Sequence, residues 1–299
     1  MHIGAHVSSS GSLDKSIDRA CEIGAEAVQF FATAPQSWRH AKHKDAVVEA
    51  FRQRATERSI DQVFLHAIYL INLATELPEN LAKSVQSLKA TLQIASQIGA
   101  RGAIFHVGSH KGIGFDQVLA QIAQAMTDIL NDTPQDSLLI VENSAGMGGS
   151  IGSSFDEVGA IVRAVGDARV KVCLDTCHLF AAGYDLRTSE AVAETMAQFD
   201  FAVGLDRLVA IHANDSKAPL GGGLDRHENI GEGHIGLEGF RSILGHPAFA
   251  NLPLLLEVPG FEKGGPDRRN VELLQAIRAG HGLAAPQPPV VSSDLASNA

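Results

Sequence analysis

Short apolar runs alternate with longer amphipathic stretches along most of the chain. The runs are His2–His6, Ala27–Phe31, Val63–His66, Ala103–His106, Leu138–Glu142, Val170–Asp175, Leu208–His212 and Leu254–Glu257. They are apolar on both alternating faces, as strands buried in a parallel sheet are. Between them, apolar positions recur at helical spacing over about 12–23, 44–58, 79–98, 116–131, 155–165, 188–199, 236–244 and 267–279. Ser12 is placed to cap the first helix, with Lys15 rather than Glu at the box position. Gly24 and Gly99 follow helices where a left-handed residue is wanted, and Pro78 opens the third helix, where its missing N–H costs nothing. Eight strand–helix units in series predict an α/β fold, a single closed (β/α)8 barrel over residues 1–282. An open doubly wound sheet gets little support, because no G-x-G-x-x-G follows the first strand. Residues 283–299, rich in Pro, Ser and Ala, predict a disordered tail.

The residues that close the strands change the picture. Six successive runs stop at an ionisable side chain: His66, His106, Glu142, Asp175, His212 and Glu257. In a barrel these ends meet at the one face where barrel active sites form. His178 lies three residues beyond Asp175, and Asp225 with His227 forms a D-x-H pair in the long loop after the seventh strand. A lone strand-end His or Glu is more often a capped or solvated residue. The joint pattern is another matter, because converging carboxylates repel and take up protons unless positive charge sits between them. Five imidazoles and four carboxylates point to zinc or a similar transition metal, since magnesium and calcium prefer all-oxygen shells. Nine ligands exceed one tetrahedral site and suit two or three metals with a bridging carboxylate.

Composition bounds the rest. Hydrophobic residues make up 45% of the 299, enough for a sizeable core. No apolar run approaches the roughly 18 residues of a membrane span, and no secretory signal pattern opens the chain. Three cysteines, Cys21, Cys173 and Cys177, do not make a disulfide framework, so a reducing, cytoplasmic setting is expected. Cys173 and Cys177 read as buried structural thiols rather than a zinc pair. The net charge of −10 argues against a generally basic nucleic-acid coat.

Seven segments then carry a resemblance. They are HIGAHVS at 2–8, HAIYLINLA at 66–74, FHVGSHKG at 105–112, IVENSAG at 140–146, VCLDTCH at 172–178, IHANDSKAPLGGGLDRHENIGEG at 211–233 and LLLEVPG at 254–260. In order, over about residues 1–280, the chain resembles the endonuclease IV family of metal-dependent apurinic/apyrimidinic endonucleases. The resemblance implies a barrel holding three zinc ions, with manganese able to replace zinc in one site. It implies that His66, His106 and Glu142 hold the first ion. Glu142 would bridge to a second, held also by Asp175, His212 and Glu257, and His178, Asp225 and His227 would hold a third. Glu142 and Glu257 would be the catalytic carboxylates, Glu257 also orienting the attacking water. The implied reaction is hydrolysis of the phosphodiester 5′ to an abasic site in duplex DNA, leaving a 3′-hydroxyl and a 5′-deoxyribose phosphate, by a metal-activated water attacking phosphorus in line.

The same resemblance implies that Tyr69 and Leu70 insert into the DNA at the lesion, and that His6 supports a ligand from behind. Gln36 stands where the family usually has an arginine, and Gly222 where it tends to have Ser or Ala. A local basic rim is expected to meet the phosphates. Its members are Arg39, Lys42, Lys44, Lys111, Lys217, Arg226, Lys263, Arg268 and Arg269. Three divalent ions at that face would offset part of the negative total. The expected form is a monomer. Two other readings stand beside this one. A metal-dependent sugar isomerase or epimerase shares the barrel but needs fewer ligands and no third site. A non-catalytic abasic-DNA binding or metal-storage protein would keep the ligands without the chemistry.

Overall fold

A computed structural model describes residues 1–39 and 42–281. The tail expected over 283–299 lies outside the described residues. The strands are β1 (His2–His6), β2 (Ala27–Phe31), β3 (Val63–His66), β4 (Gly102–His106), β5 (Leu138–Glu142), β6 (Val170–Asp175), β7 (Leu208–His212) and β8 (Pro253–Leu256). All pair in parallel and close in the order β1-β8-β7-β6-β5-β4-β3-β2. This is the TIM barrel that the alternation predicts. The helices are α1 (Asp14–Glu22), α2 (Asp45–Glu57), α3 (Pro78–Ile98), α4 (Phe115–Asn131), α5 (Phe155–Val165), α6 (Thr176–Ala182), α7 (Ser189–Ala202), α8 (Gly236–Gly245) and α9 (Arg268–Gly280).

Two cores result from the two faces of each strand. The larger one lies between strands and helices and includes Phe30, Phe51, Phe105, Phe199 and Phe240. The smaller one fills the barrel interior with Ala27, Phe64, Ile104, Ile140, Cys173, Ala210 and Leu255. Side chains alternate along a strand, so the next inward residue lies two positions on. Two positions on from these apolar residues stand Gln29, His66, His106, Glu142, Asp175, His212 and Glu257. The dry plug is therefore the floor on which the polar layer rests. Gly4 is inward on β1, and a Cβ there would meet Ala27 O at 2.6 Å, so only glycine lets β1 and β2 approach this closely.

The differences from expectation are local. Ser12 does not cap α1; Leu13 occupies that position in helical conformation, and the Ser12 hydroxyl binds the Asp14 carboxylate instead. Glu257 lies one residue past the end of β8. The helix α6 and a two-residue antiparallel pairing, Asp215–Ser216 with His227–Glu228, are additions. No helix among the described residues is long and apolar enough to cross a membrane.

Candidate metal centre and nucleic-acid face

The nine expected ligands converge at the carboxyl-terminal mouth of the barrel. Three groups of donor atoms each lie within 4.8 Å of one another: His66, His106 and Glu142; Glu142, Asp175, His212 and Glu257; and His178, Asp225 and His227. Glu142 is common to the first two, and its two oxygens divide between them. Oε2 faces His66 Nε2 at 3.1 Å and His106 Nε2 at 3.4 Å, while Oε1 faces His212 Nδ1 at 3.0 Å. Depth grades across the site. His212 and Asp175 are fully buried, whereas the Asp225 side chain is 46% exposed.

Local structure explains how each donor is aimed. The Asp175 carboxylate caps α6 by accepting from His178 N–H at 2.9 Å, which fixes the turn that carries His178. Asp215 does the same for the D-x-H loop. It is fully buried and accepts from the N–H groups of Ser216, Gly231, Gly233, Ile235 and Gly236. That anchor and the short strand pairing hold Asp225 and His227 toward His178.

The imidazoles are oriented through their other nitrogen. His66 Nδ1 lies 2.7 Å from Ala67 O, His178 Nδ1 3.0 Å from Asn143 O, and His227 Nδ1 3.3 Å from Glu257 O. A carbonyl only accepts, so each of these Nδ1 atoms donates its proton there, and each Nε2 is the atom left to face the carboxylates. His212 is reversed: its Nε2 donates to Gln29 Oε1 at 2.8 Å, leaving Nδ1 to face the carboxylates. Gln29 Nε2 also donates to Glu257 Oε1 at 2.6 Å and lies 2.9 Å from His6 Nδ1. Asn214 completes the frame. Its Nδ2 donates to Asp175 Oδ2 at 2.7 Å and its Oδ1 accepts from Glu257 N–H at 2.8 Å. Gln29, Asn143, Asn214 and Asp215 are the site residues that strand-end reasoning passes over. Inward parity on β2 marks Gln29, since Ala27 is a plug residue and Gln29 is two positions on.

Electrostatics reports the same convergence. Burial works against charge on every member, yet the imidazoles around Glu142 and Glu257 hold both carboxyls below the usual range. In return, His178 is pushed well above the ordinary imidazole value despite burial, and His227 up to about 9, both by Asp175 and Asp225 foremost, while His212 rises well above it through Cys173, Glu257 and Glu142. His66 rises through its bond to Glu142, whereas burial leaves the more distant His106 lowered. His6 is also lowered by burial, with Glu257 opposing.

The donors fit divalent metal. His178 Nε2 and His227 Nε2 each lie 3.2 Å from Asp225 Oδ1, yet both nitrogens are buried and neither makes a hydrogen bond. With Asp225 they make a compact donor set, and a divalent cation among them would satisfy both nitrogens and the carboxylate at once. Cys177 also comes near Asp175 and His227. Burial pushes its thiol up to about 12, so it stays a protonated packing residue, as does Cys173 at about 11.

Around this mouth lie the residues expected to meet DNA. Tyr69 and Leu70 are 61% and 38% exposed, while their neighbours Ile71 and Leu73 are buried. Tyr69 N–H donates to Pro35 O at 3.0 Å, which ties the turn carrying the exposed Gln36 and Arg39 to the same edge. Lys111 and Arg226 are exposed on the loops after β4 and β7. Two members of the expected rim are engaged elsewhere. Lys217 pairs with Glu228 at 3.5 Å, and Arg268 with Glu272 at 3.8 Å and with the carbonyl of Glu22.

A family model described as a xylose isomerase-like TIM barrel matches residues 17–279. A probable endonuclease 4 of Halothermothrix orenii is 40% identical over 279 residues, 93% of this chain and 99% of the relative. The chain belongs to the endonuclease IV family. The crystal structure of endonuclease IV from Thermus thermophilus superposes with a TM-score of 0.83 at 32% identity, over 94% of this chain and all of the other. A D-tagatose 3-epimerase-like protein also superposes, with a TM-score of 0.72 over 94% of this chain and 98% of the other. At 16% identity that likeness is one of fold alone. Membership of the endonuclease IV family implies metal use, in keeping with the donor groups described above.

Proposed function

We propose that this chain is a zinc-dependent DNA-repair endonuclease that hydrolyses the phosphodiester 5′ to abasic sites in duplex DNA. The observation that carries the reading is the third donor group, His178, Asp225 and His227. It lies beside the deep pair of groups and opens to solvent, where a phosphate can reach it. Sugar isomerisation needs no such third group.

The residues would hold three zinc ions as the groups divide: His66, His106 and Glu142; Glu142, Asp175, His212 and Glu257; His178, Asp225 and His227. Manganese could replace zinc in one of them. Bound there, divalent ions supply positive charge for the phosphoryl oxygens and acidify water at neutral pH. The chain's own groups do the rest. Glu257, held at Oε1 by Gln29, orients the attacking water with its other oxygen. The water oxygen adds to phosphorus as its proton passes to solvent, the bond from phosphorus to the 3′ oxygen of the preceding nucleotide breaks, and that oxygen takes a proton from solvent and leaves as a 3′-hydroxyl. The product carries a 5′-deoxyribose phosphate. His6 steadies Glu257 from the side, at 3.1 Å. Tyr69 and Leu70 occupy the gap left by the missing base, an apolar wedge that offsets unstacking. Lys111, Arg226 and Arg39 meet backbone phosphates locally, so a net charge of −10 is no obstacle. Gln36 extends the same edge as a neutral hydrogen-bonding side chain.

The chain acts as a monomer in the cytoplasm on this reading. Metal content tests it against the isomerase reading. Protein freed of loosely bound zinc should retain three ions per chain. One ion per chain, together with turnover of free sugars, would overturn the proposal.

A further inference from the structure

Two lysines stand in a backbone conformation that lysine seldom adopts. Among the described residues only Ser59, Lys111 and Lys263 have positive φ without being glycine, at 55°, 47° and 59°. In this region Cβ crowds the following carbonyl, so glycine normally fills it. Glycine adjoins both lysines, at 112 and at 264, yet lysine holds the left-handed position. Each sits in a bonded turn: Lys111 N–H donates to Ser109 Oγ at 3.0 Å and Lys263 N–H to Gly260 O at 3.1 Å.

Their placement is symmetric about the metal centre. Lys111 follows β4 and Lys263 follows β8, and these strands are four apart in either direction around the closed barrel. The two loops thus face each other across the mouth. Each lysine lines a different cavity. Lys111 lines one of about 520 Å³ with Leu70, His106 and Asp225. Lys263 lines one of about 860 Å³ with Ser8, His227 and Glu257. Tyr69 lines both, and so stands between them. Both lysines are exposed, and neither has a carboxylate partner among the described residues. A left-handed residue at a loop tip costs backbone energy that a role for its side chain can offset. A lysine ammonium is a compact charge suited to a single phosphate oxygen.

We propose that Lys111 and Lys263 are a pair of phosphate-positioning residues that grip the lesion strand on opposite flanks of the scissile phosphate. The strand then crosses the barrel mouth along the β4–β8 diameter. This rests on the endonuclease reading, whose basic rim already includes both lysines, and adds their pairing across the mouth and a direction for the strand.

The test uses the metal-loaded full chain with Lys111→Asn, Lys263→Asn, both together, and Lys263→Arg. Asparagine tolerates the left-handed conformation and removes the charge, so backbone and charge are separated. Two readouts are taken against salt concentration: anisotropy with an undamaged duplex, and kcat/KM with a duplex carrying a tetrahydrofuran abasic analogue. Each Asn variant should flatten the log–log salt slope by about one, and the double variant by about two. Lys263→Arg should keep the wild-type slope. Trimming the duplex to a stub on one flank should cancel the effect of one Asn variant only, and trimming the other flank the effect of the other. Unchanged slopes, or both effects cancelled by the same flank, overturn the pairing while leaving the endonuclease reading intact. A wild-type chain that neither binds nor cuts duplex overturns that reading, and the pairing with it.

Discussion

Gln29 has more influence on the site than its neutral side chain suggests. Its carboxamide accepts from His212 and donates to Glu257, so it fixes the tautomer of one ligand and the rotation of another. Gln29→Leu should weaken metal retention or activity by about 10- to 100-fold, the usual effect of losing such a partner. Competition with a chelator checks it. The nine candidate ligands were legible in the sequence because each breaks or follows an apolar run. Gln29 was not, because β2 goes on to Phe30 and Phe31 and hides the polar residue inside the run. The histidines carry a second consequence. His178 and His212 are shifted well above the ordinary value, and His227 to about 9, so the metal-free site holds protons more tightly than free imidazoles do. A metal ligand must be neutral, so zinc uptake expels protons, and acid favours the metal-free form. Titration calorimetry in buffers of different ionisation enthalpy should show net proton release on zinc binding at pH 7. The release should shrink as pH rises through about 9, where His227 has already lost its proton.

The elements divide into those set by periodicity and those set by single bonds. The barrel strands and the helices between them have enough length for a repeat to declare itself. The helix α6 has seven residues, and the Asp215–Ser216 pairing has two on each side. Such pieces carry no period; they exist because Asp175 caps one and Asp215 gathers the N–H groups of the turn that follows the other. The same logic explains Ser12. Its sequence position suits a cap, but the Asp14 carboxylate two residues on competes for the hydroxyl and wins. Asp215→Ala strands five N–H groups near buried surface and should loosen the loop that carries Asp225 and His227. The expected outcome is loss of one metal ion per chain with the two deeper ones retained, read by elemental analysis. Loss of every ion, or of none, would contradict a loop-specific role.

Closure of the whole barrel rests on its two ends meeting. Arg278 on α9 binds both Glu26 oxygens and Met1 O, and Glu26 also accepts from Ile3 N–H, so last helix, first strand and the approach to β2 share one mostly buried ion pair. Breaking such a pair from one side leaves an uncompensated charge. Arg278→Ala should cost about 3–5 kcal/mol in denaturant unfolding, with and without metal, because the pair lies away from the donor groups. Charge at this scale is asymmetric. The net −10 belongs to the metal-free chain, while the mouth gathers imidazoles, exposed lysines and sites for divalent ions. That asymmetry leads to the central claim, a mouth built to take phosphate at a gap in duplex DNA. Its most direct test is incubation with a duplex holding one tetrahydrofuran residue, which cannot undergo β-elimination. Zinc-loaded protein should cut immediately 5′ to that residue and leave a 3′-hydroxyl that a polymerase extends, and chelation should abolish the cut. An intact duplex under zinc-loaded conditions would contradict the account.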